Sequence, residues 1–343
     1  MEYRALGRTG VEVSSLCLGA MMFGAWGNTD HEECHRIIQR ALDAGINFID
    51  TADVYSAGES EEIVGDFLGS IGQRRQDIVL ATKVHGQMGE GRNRQGNSRR
   101  WIISECEASL RRLRTDYIDL YQVHRPSPGT DIDDTLAALS DLVHAGKIRY
   151  FGSSTFPAWM VVEAHWASER RSRERLSTEQ PPYSMLVRGI EADLLQVCRE
   201  YGMGVLSWSP LAGGWLSGRY GTGQQNKSRR AERMPARYDL SLPANAAKLA
   251  AVDQLSELAA KAGHSLPELA VAFVLAHPAV TSAIIGPRTM EQLTSLLAAA
   301  NILLDHDVLD AIDQIVPPGQ DLNIGDHGWE APWVGEAALR RRY

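Results

Sequence analysis

Four side chains of complementary chemistry close or follow short apolar runs. They are Asp50 and Tyr55 in Asp50-Thr51-Ala52-Asp53-Val54-Tyr55, Lys83 in Val79-Leu80-Ala81-Thr82-Lys83, and His124 in Tyr121-Gln122-Val123-His124. An acid, a phenol, an ammonium and an imidazole at the ends of successive strand-like runs form one polar cluster if those runs are neighbours in a sheet. The chemistry such a cluster offers is proton transfer, because an ammonium beside a phenol favours phenolate and suits the pair to exchanging a proton near neutral pH. Reduction of a carbonyl needs that proton. Taken singly, each residue has a plainer reading: a snorkelling Lys, a hydrogen-bonded core His, an Asp-Thr helix cap. The coincidence of all four favours chemistry.

The elements that must position them follow from the hydrophobic pattern. Short runs rich in β-branched or aromatic residues occur at 16–18, 47–50, 78–83, 118–124, 148–153, 178–180, 204–208 and 283–286. Between them the spacing predicts helices over 31–44, 60–69, 98–113, 133–145, 157–168, 190–201 and 290–299. In the first of these, Ile37, Ile38, Ala41 and Leu42 share a face and Gly45 supplies a C-terminal stop. Alternation of this kind predicts a parallel sheet, and eight units predict an α/β fold of the closed (β/α)8 TIM-barrel type, one domain over 1–343. No G-x-G-x-x-G opens a helix after the first strand and no G-x-x-x-x-G-K-[ST] occurs, so the open-sheet nucleotide folds lose their main support. Residues 3–6 and 11–14 around Gly7-Arg8-Thr9-Gly10 read as an N-terminal β-hairpin capping the barrel floor, and the chain ends in a long C-terminal loop. In a barrel, the C-terminal strand ends carry the chemistry, and Asp50, Lys83 and His124 lie there.

Composition narrows the function classes. With 44% hydrophobic residues over 343 positions the chain can bury a large core. The balance of 43 acidic against 35 basic residues, net −8, argues against a nucleic-acid partner. Cys17, Cys34, Cys106 and Cys198 form no C-x-x-C pair, so neither a disulfide framework nor a zinc cage is expected, and a reducing, cytoplasmic setting is. The stretch from Val13 to Trp26 is broken by Gly19 and Gly24 and does not read as a leader. No apolar run spans a bilayer, so no membrane partner is expected. Asn226-Lys227-Ser228 fits a glycosylation pattern that a cytoplasmic setting would leave inert. Oligomerisation is left open, since nothing forms a heptad seam.

The run from Gly45 to Tyr55, followed by Glu59-Ser60-Glu61, resembles the signature of the aldo-keto reductase family, with the likeness extending over most of the chain. Lys83 and His124, in His124-Arg125-Pro126, fall where that family keeps its Lys and His, which completes a tetrad of Asp50, Tyr55, Lys83 and His124. The resemblance implies a (β/α)8 barrel that binds NADP(H) in extended form and reduces aldehydes or ketones to alcohols, or the reverse, with a small-molecule carbonyl or alcohol as partner. It implies Tyr55 as proton donor, Lys83 stabilising the phenolate, Asp50 holding Lys83, and His124 orienting the substrate oxygen. Cofactor contacts implied in the same way are Met21, Asp50, Ser153, Ser154 and Gln180, with Tyr183 flanking the nicotinamide. Trp208, Ser209, Leu211, Gly213 and Arg219 resemble the loop over the pyrophosphate, and Gly286, Arg288 and Gln292 the site of the 2′-phosphate. Where the family commonly presents a Glu-Asn pair one turn beyond the Gln, this chain has Ser295 and Leu296, which predicts weaker adenine contacts. Trp208 to Ala212 and Ser217 to Tyr220 also resemble the potassium-channel β-subunit branch. That resemblance supplies an alternative, an NADP(H)-binding regulatory or interaction module with little turnover.

Other signals read as bland or secondary. His31-Glu32-Glu33-Cys34-His35 satisfies the zinc-peptidase pattern H-E-x-x-H, but Asp30 and Glu33 read as a helix cap and no third ligand is marked, so no metal is expected. Glu169-Arg170-Arg171-Ser172-Arg173-Glu174-Arg175 reads as a solvated link of mixed charge. Arg229-Arg230-Ala231-Glu232-Arg233 is a candidate flap over the cofactor, residues 86–97 a substrate-gating loop, and Trp329, Pro332 and Trp333 an apolar wall for the pocket.

Overall fold

Eight parallel strands close into a barrel ringed by helices, the architecture expected from the alternation. The computed structural model describes residues 1–221, 231 and 234–342. An antiparallel hairpin, β1 (Tyr3–Ala5) and β2 (Glu12–Ser14), precedes the barrel. The barrel strands are β3 (Leu16–Gly19), β4 (Phe48–Asp50), β5 (Val79–Val84), β6 (Ile118–Val123), β7 (Ile148–Ser154), β8 (Thr178–Gln180), β9 (Gly204–Ser207) and β10 (Val280–Ile285). Each pairs with the next, and β10 returns to β3 with Ile284 opposite Cys17.

Helices α1 (His31–Asp43), α2 (Glu59–Ile71), α3 (Arg99–Arg112), α4 (Ile132–His144), α5 (Ala158–Arg171) and α6 (Leu194–Tyr201) follow the first six barrel strands in turn. Their starts are set by local chemistry. Asp30 accepts from the Glu33 N–H at 2.9 Å and Ser98 from the Trp101 N–H at 3.3 Å, each capping a first turn whose amides have no partner within the helix. Among the described residues four more long helices complete the ring and its flank: α7 (Pro243–Lys261), α8 (Leu266–Ala276), α9 (Met290–Ala298) and α10 (His306–Ile315). Sequence periodicity did not assign α7, α8 or α10, and α10 lies inside what reads as a C-terminal loop. The reason differs by helix: α7 is rich in Ala on every face, whereas α8 is apolar all round because it is buried all round.

Two apolar layers hold the fold. Inside the barrel, Cys17, Phe48, Ala81, Leu120 and Leu206 meet Leu6 and Val13 from the hairpin, which plugs the floor. Arg4 fastens that plug by donating to the Val280 carbonyl at 2.8 Å, and the Tyr150 hydroxyl donates to the Thr9 carbonyl at 3.1 Å. The larger layer lies between the strands' outer faces and the helices. All four cysteines are buried there or inside the barrel as free thiols. Among the described residues no single helix is long and apolar enough to cross a membrane.

Candidate active site

Strand alternation builds the site. Residues two apart on a strand share a face, so the pattern that turns Phe48, Ala81 and Leu120 into the barrel also turns Asp50, Lys83 and Gln122 inward, one layer nearer the C-terminal mouth. Gln180 joins that layer from β8. Tyr55 stands just beyond β4, at the head of a tight turn in which Ser56 (φ 50°) and Ala57 (φ 57°) adopt left-handed conformations. Strain of this kind persists only where the surroundings fix the backbone. Here they do: the Ser56 hydroxyl donates to the Phe23 carbonyl at 3.3 Å and accepts from the Trp26 N–H at 3.1 Å.

The ammonium of Lys83 is fully buried and its three hydrogens are all placed. They go to Asp50 Oδ1 at 2.5 Å, the Thr51 carbonyl at 2.8 Å and Tyr55 Oη at 3.3 Å. The third bond occupies a lone pair of the phenol and not its hydrogen, so the Tyr55 hydroxyl hydrogen is left for another acceptor. Burial by itself would push Lys83 toward neutrality, yet the attraction of Asp50 and Tyr55 outweighs it and the net direction is upward, which keeps the ammonium charged. On the other oxygen of Asp50, Oδ2 accepts from Gln122 Nε2 at 3.1 Å and Gln180 Nε2 at 2.9 Å.

His124 follows β6, and its ring lies 5.7 Å from that of Tyr55, nearly edge-on at 81°. Removal from water, and then the positive charges of Arg125, Lys83 and His85, hold its imidazole well below the usual histidine range. A neutral imidazole offers one N–H donor and one acceptor nitrogen. The acid, phenol, ammonium and imidazole singled out by spacing therefore meet at one point of the mouth.

Glu59, Ser60 and Glu61 of the same motif are anchors, not members of that point. Glu59 accepts from the Ala25 N–H at 2.7 Å and pairs with His31 at 3.1 Å. The Ser60 hydroxyl donates to the Ala20 carbonyl at 2.8 Å. Glu61 accepts from Thr82 at 2.6 Å and from Arg112 at 2.6 Å. His35 bonds the Ile63 carbonyl at 3.0 Å, so the two histidines of H-E-x-x-H are engaged separately. No group of three metal-ligating side chains occurs among the described residues.

The remaining expected residues distribute around the rim. Met21 lies two residues beyond β3 and is partly exposed. Ser154 is buried, and its hydroxyl donates to the Gln180 carbonyl at 2.8 Å. Its neighbour Ser153 faces the other way by alternation and donates to Glu179 Oε2 at 2.5 Å, away from the barrel interior. Tyr183, expected beside the nicotinamide, is buried with its hydroxyl on Glu191 at 2.6 Å and its ring against Phe273 and His277, so it is held outside the mouth. An aromatic that the fold does place at the rim is Trp208, just beyond β9, whose indole N–H has no partner among the described residues. After it, Ser209, Ala212, Gly213 and Gly214 all have positive φ, a kinked path stabilised by the Tyr238 hydroxyl donating to the Gly213 carbonyl at 2.8 Å. Leu211 lies within this path and packs against the outer core.

Beyond β10, exposed Gly286 leads to Arg288, whose N–H donates to Gln292 Oε1 at 2.8 Å. Neither Arg219 nor Arg288 has a carboxylate partner among the described residues. Leu296 is buried in the core, so that position contributes no polar group to an adenine. Of the flap candidate only Ala231 falls within the described residues; Arg229, Arg230, Glu232 and Arg233 lie outside them, as does Asn226-Lys227-Ser228. The loop over 86–97 ends on buried Asn97, which bonds His85 at 2.8 Å and the Arg125 carbonyl at 2.9 Å. In the tail, Trp333 leans on Trp329 and on Trp159 of α5, while Gly328 passes so close to Trp208 that a Cβ there would lie 2.6 Å from the indole.

Neither the hydrophobic pattern nor the family resemblance assigns a role to Trp26, Gln122 or His85. Trp26 packs its ring 5.9 Å from that of Tyr55. Arg125 donates to the His124 carbonyl at 2.6 Å and to Thr155 Oγ1 at 3.1 Å. A signal existed for Gln122, a polar residue in register with the inward-facing positions of a barrel strand.

The sequence model of the Aldo/keto reductase family matches residues 15–317. An uncharacterised oxidoreductase of Bacillus subtilis (strain 168), YrpG, is 42% identical over 328 residues, 93% of this chain and 97% of that protein. Probable voltage-gated potassium channel β subunits of Arabidopsis thaliana and of Oryza sativa subsp. japonica are 36% and 35% identical, each over 92% of this chain and 97% of theirs. The chain belongs to the aldo/keto reductase family.

Proposed function

We propose that the protein is an NADP(H)-dependent oxidoreductase that reduces an aldehyde or ketone to an alcohol, or runs the reverse, with Tyr55 as the proton donor. The observation that carries this reading is the complete use of the Lys83 hydrogens, one of them on the phenol oxygen, which leaves the Tyr55 hydrogen directed to a substrate beside neutral His124. The chemistry a nicotinamide would supply, when bound at this rim, is a hydride for the carbonyl carbon. Tyr55 gives its proton to the carbonyl oxygen, and Lys83, held charged by Asp50, stabilises the phenolate left behind. The His124 N–H is suited to donating to the same oxygen and so orienting the substrate. The rim fits a dinucleotide: among the described residues it offers an unpartnered indole N–H, a glycine-bearing backbone path with positive φ at four positions, and two arginines without carboxylate partners. In this reading the partner is a small-molecule carbonyl or alcohol and the setting is cytoplasmic.

Tyr55→Phe is expected to lower turnover of NADPH with a panel of aldehydes and ketones by about 10²–10⁴-fold, while NADPH binding, followed by Trp fluorescence, stays within about twofold. Turnover at the wild-type level in that variant would overturn the assignment. The descriptions of the plant relatives favour a second reading, an NADP(H)-binding module of the channel β-subunit type. Cofactor binding with no oxidation on any member of the panel would select it.

A further inference from the structure

Gln122 is fully buried in the barrel and belongs to neither the acid–base pair nor the rim. Its amide is nonetheless wired to both. Nε2 donates to Asp50 Oδ2 at 3.1 Å, and Oε1 accepts from Gln180 Nε2 at 3.1 Å. Gln180 Nε2 also donates to Asp50 Oδ2 at 2.9 Å, so both hydrogens of that nitrogen are spent. A carboxylate accepts and never donates, which forces both amides to turn their nitrogens toward Asp50. With its nitrogen committed, Gln180 has its carbonyl oxygen left to accept from a carboxamide N–H.

We infer that Gln122 is a positioning residue: it holds the Asp50–Lys83 pair in place and locks the amide of Gln180 with its carbonyl oxygen available to the nicotinamide. The inference rests on the reading proposed above. An apolar residue at 122 would remove one donor from Asp50 and the acceptor for Gln180. Gln180 would then be held through Asp50 alone, and its amide would be less firmly fixed toward the cofactor.

Two variants test this. Gln122→Met keeps approximate size and loses both hydrogen bonds, whereas Gln122→Glu restores them only when its carboxyl is protonated, donating its O–H to Asp50 and accepting from Gln180. Burial and the Asp50 charge push such a carboxyl above the ordinary glutamate range, so the restored bonds are present at lower pH and lost as pH rises through it.

Gln122→Met is expected to weaken NADPH binding about tenfold and to lower kcat by a ratio to wild type that does not change with pH. For Gln122→Glu, the kcat ratio to wild type should fall as pH rises, and in the cofactor-free protein its unfolding midpoint relative to wild type should fall over the same interval. A merely structural role predicts a Gln122→Glu midpoint that falls with pH, as for any buried carboxyl, but kcat ratios that stay flat in both variants and NADPH binding that is unchanged. Binding by Gln122→Met within about twofold of wild type, or a Gln122→Glu kcat ratio that stays flat with pH, would overturn the inference. If wild type turns over no carbonyl, the reaction reading fails, while NADPH binding by Gln122→Met still decides the role of Gln122.

Discussion

At the scale of single residues, the site depends on charge balance in a place that water does not reach. Lys83 is fully buried, and its largest single influence, desolvation, opposes its charge; Asp50 supplies the main compensation. The net upward direction means that the contribution of this pair to stability is fully present below the ordinary lysine range and is lost only as pH rises through the still higher folded value. Removing one partner is therefore far worse than removing both. Asp50→Asn should lower the unfolding free energy by about 3–5 kcal/mol, as measured by urea unfolding near neutral pH. Adding Lys83→Met should recover part of that loss, because the uncompensated charge is gone. A double variant less stable than Asp50→Asn would sink this account. Alignment of the two groups was legible in the sequence from strand spacing, but the backbone carbonyl of Thr51 as a third holder of the ammonium was not, since no side-chain pattern reports a main-chain acceptor.

At the scale of elements, the strands were legible because most are short runs rich in apolar residues between segments of helical period, and α1 and α3 because a capping side chain precedes a periodic face. Helix α8 was hidden: its run Ala270-Val271-Ala272-Phe273-Val274-Leu275 has no polar face to show a period, although Ser265 and Glu268 form a capping box that marks its start. Outward-facing groups on the strands escape motif matching for a related reason. The motif places Ser153 at the cofactor, whereas alternation turns it toward the helices, where Glu179 accepts from it and from the Phe156 N–H at 3.1 Å, tying β8 to the start of α5. Burial pushes the Glu179 carboxyl up to about 7, outweighing those hydrogen bonds. Between the ordinary glutamate value and about 7 the folded state thus holds a proton that the unfolded state has released. Stability from this group is largest in acid and falls as pH rises to that point, then levels. Glu179→Gln lacks the titration, so its stability relative to wild type should improve by about 3 kcal/mol between roughly pH 4 and pH 8. A difference that stays constant across that interval in urea unfolding would show that the carboxyl does not titrate there.

At the scale of the whole molecule, barrel closure decides what the cofactor rim can be. Pairing of β10 with β3 brings the loop after the first barrel strand to the loop after the last, and Asn28 stitches them by donating to the Arg288 carbonyl at 2.9 Å and to Glu33 at 3.1 Å. Residues 260 positions apart in the chain are thereby held as neighbours, which periodicity within any one segment cannot reveal. The molecule as a whole carries −8 and repels a polyphosphate, but charges beyond a screening length of about 8 Å count for little at physiological salt. A local cation is what matters, and Arg288, partly exposed beside the capped start of α9, has no carboxylate partner among the described residues to neutralise it. If it holds the 2′-phosphate, its loss should be felt by one dinucleotide and not the other. Arg288→Glu is expected to raise the Kd for NADPH by about 10- to 100-fold, through loss of a charge-assisted contact and gain of a repulsion, and to leave the Kd for NADH within about threefold. Titrating both cofactors against Trp fluorescence at one salt concentration measures the two effects side by side. Equal weakening of both would place Arg288 on the shared pyrophosphate, and no weakening of either would remove it from the site, leaving Arg219 as the cation to test by the same comparison.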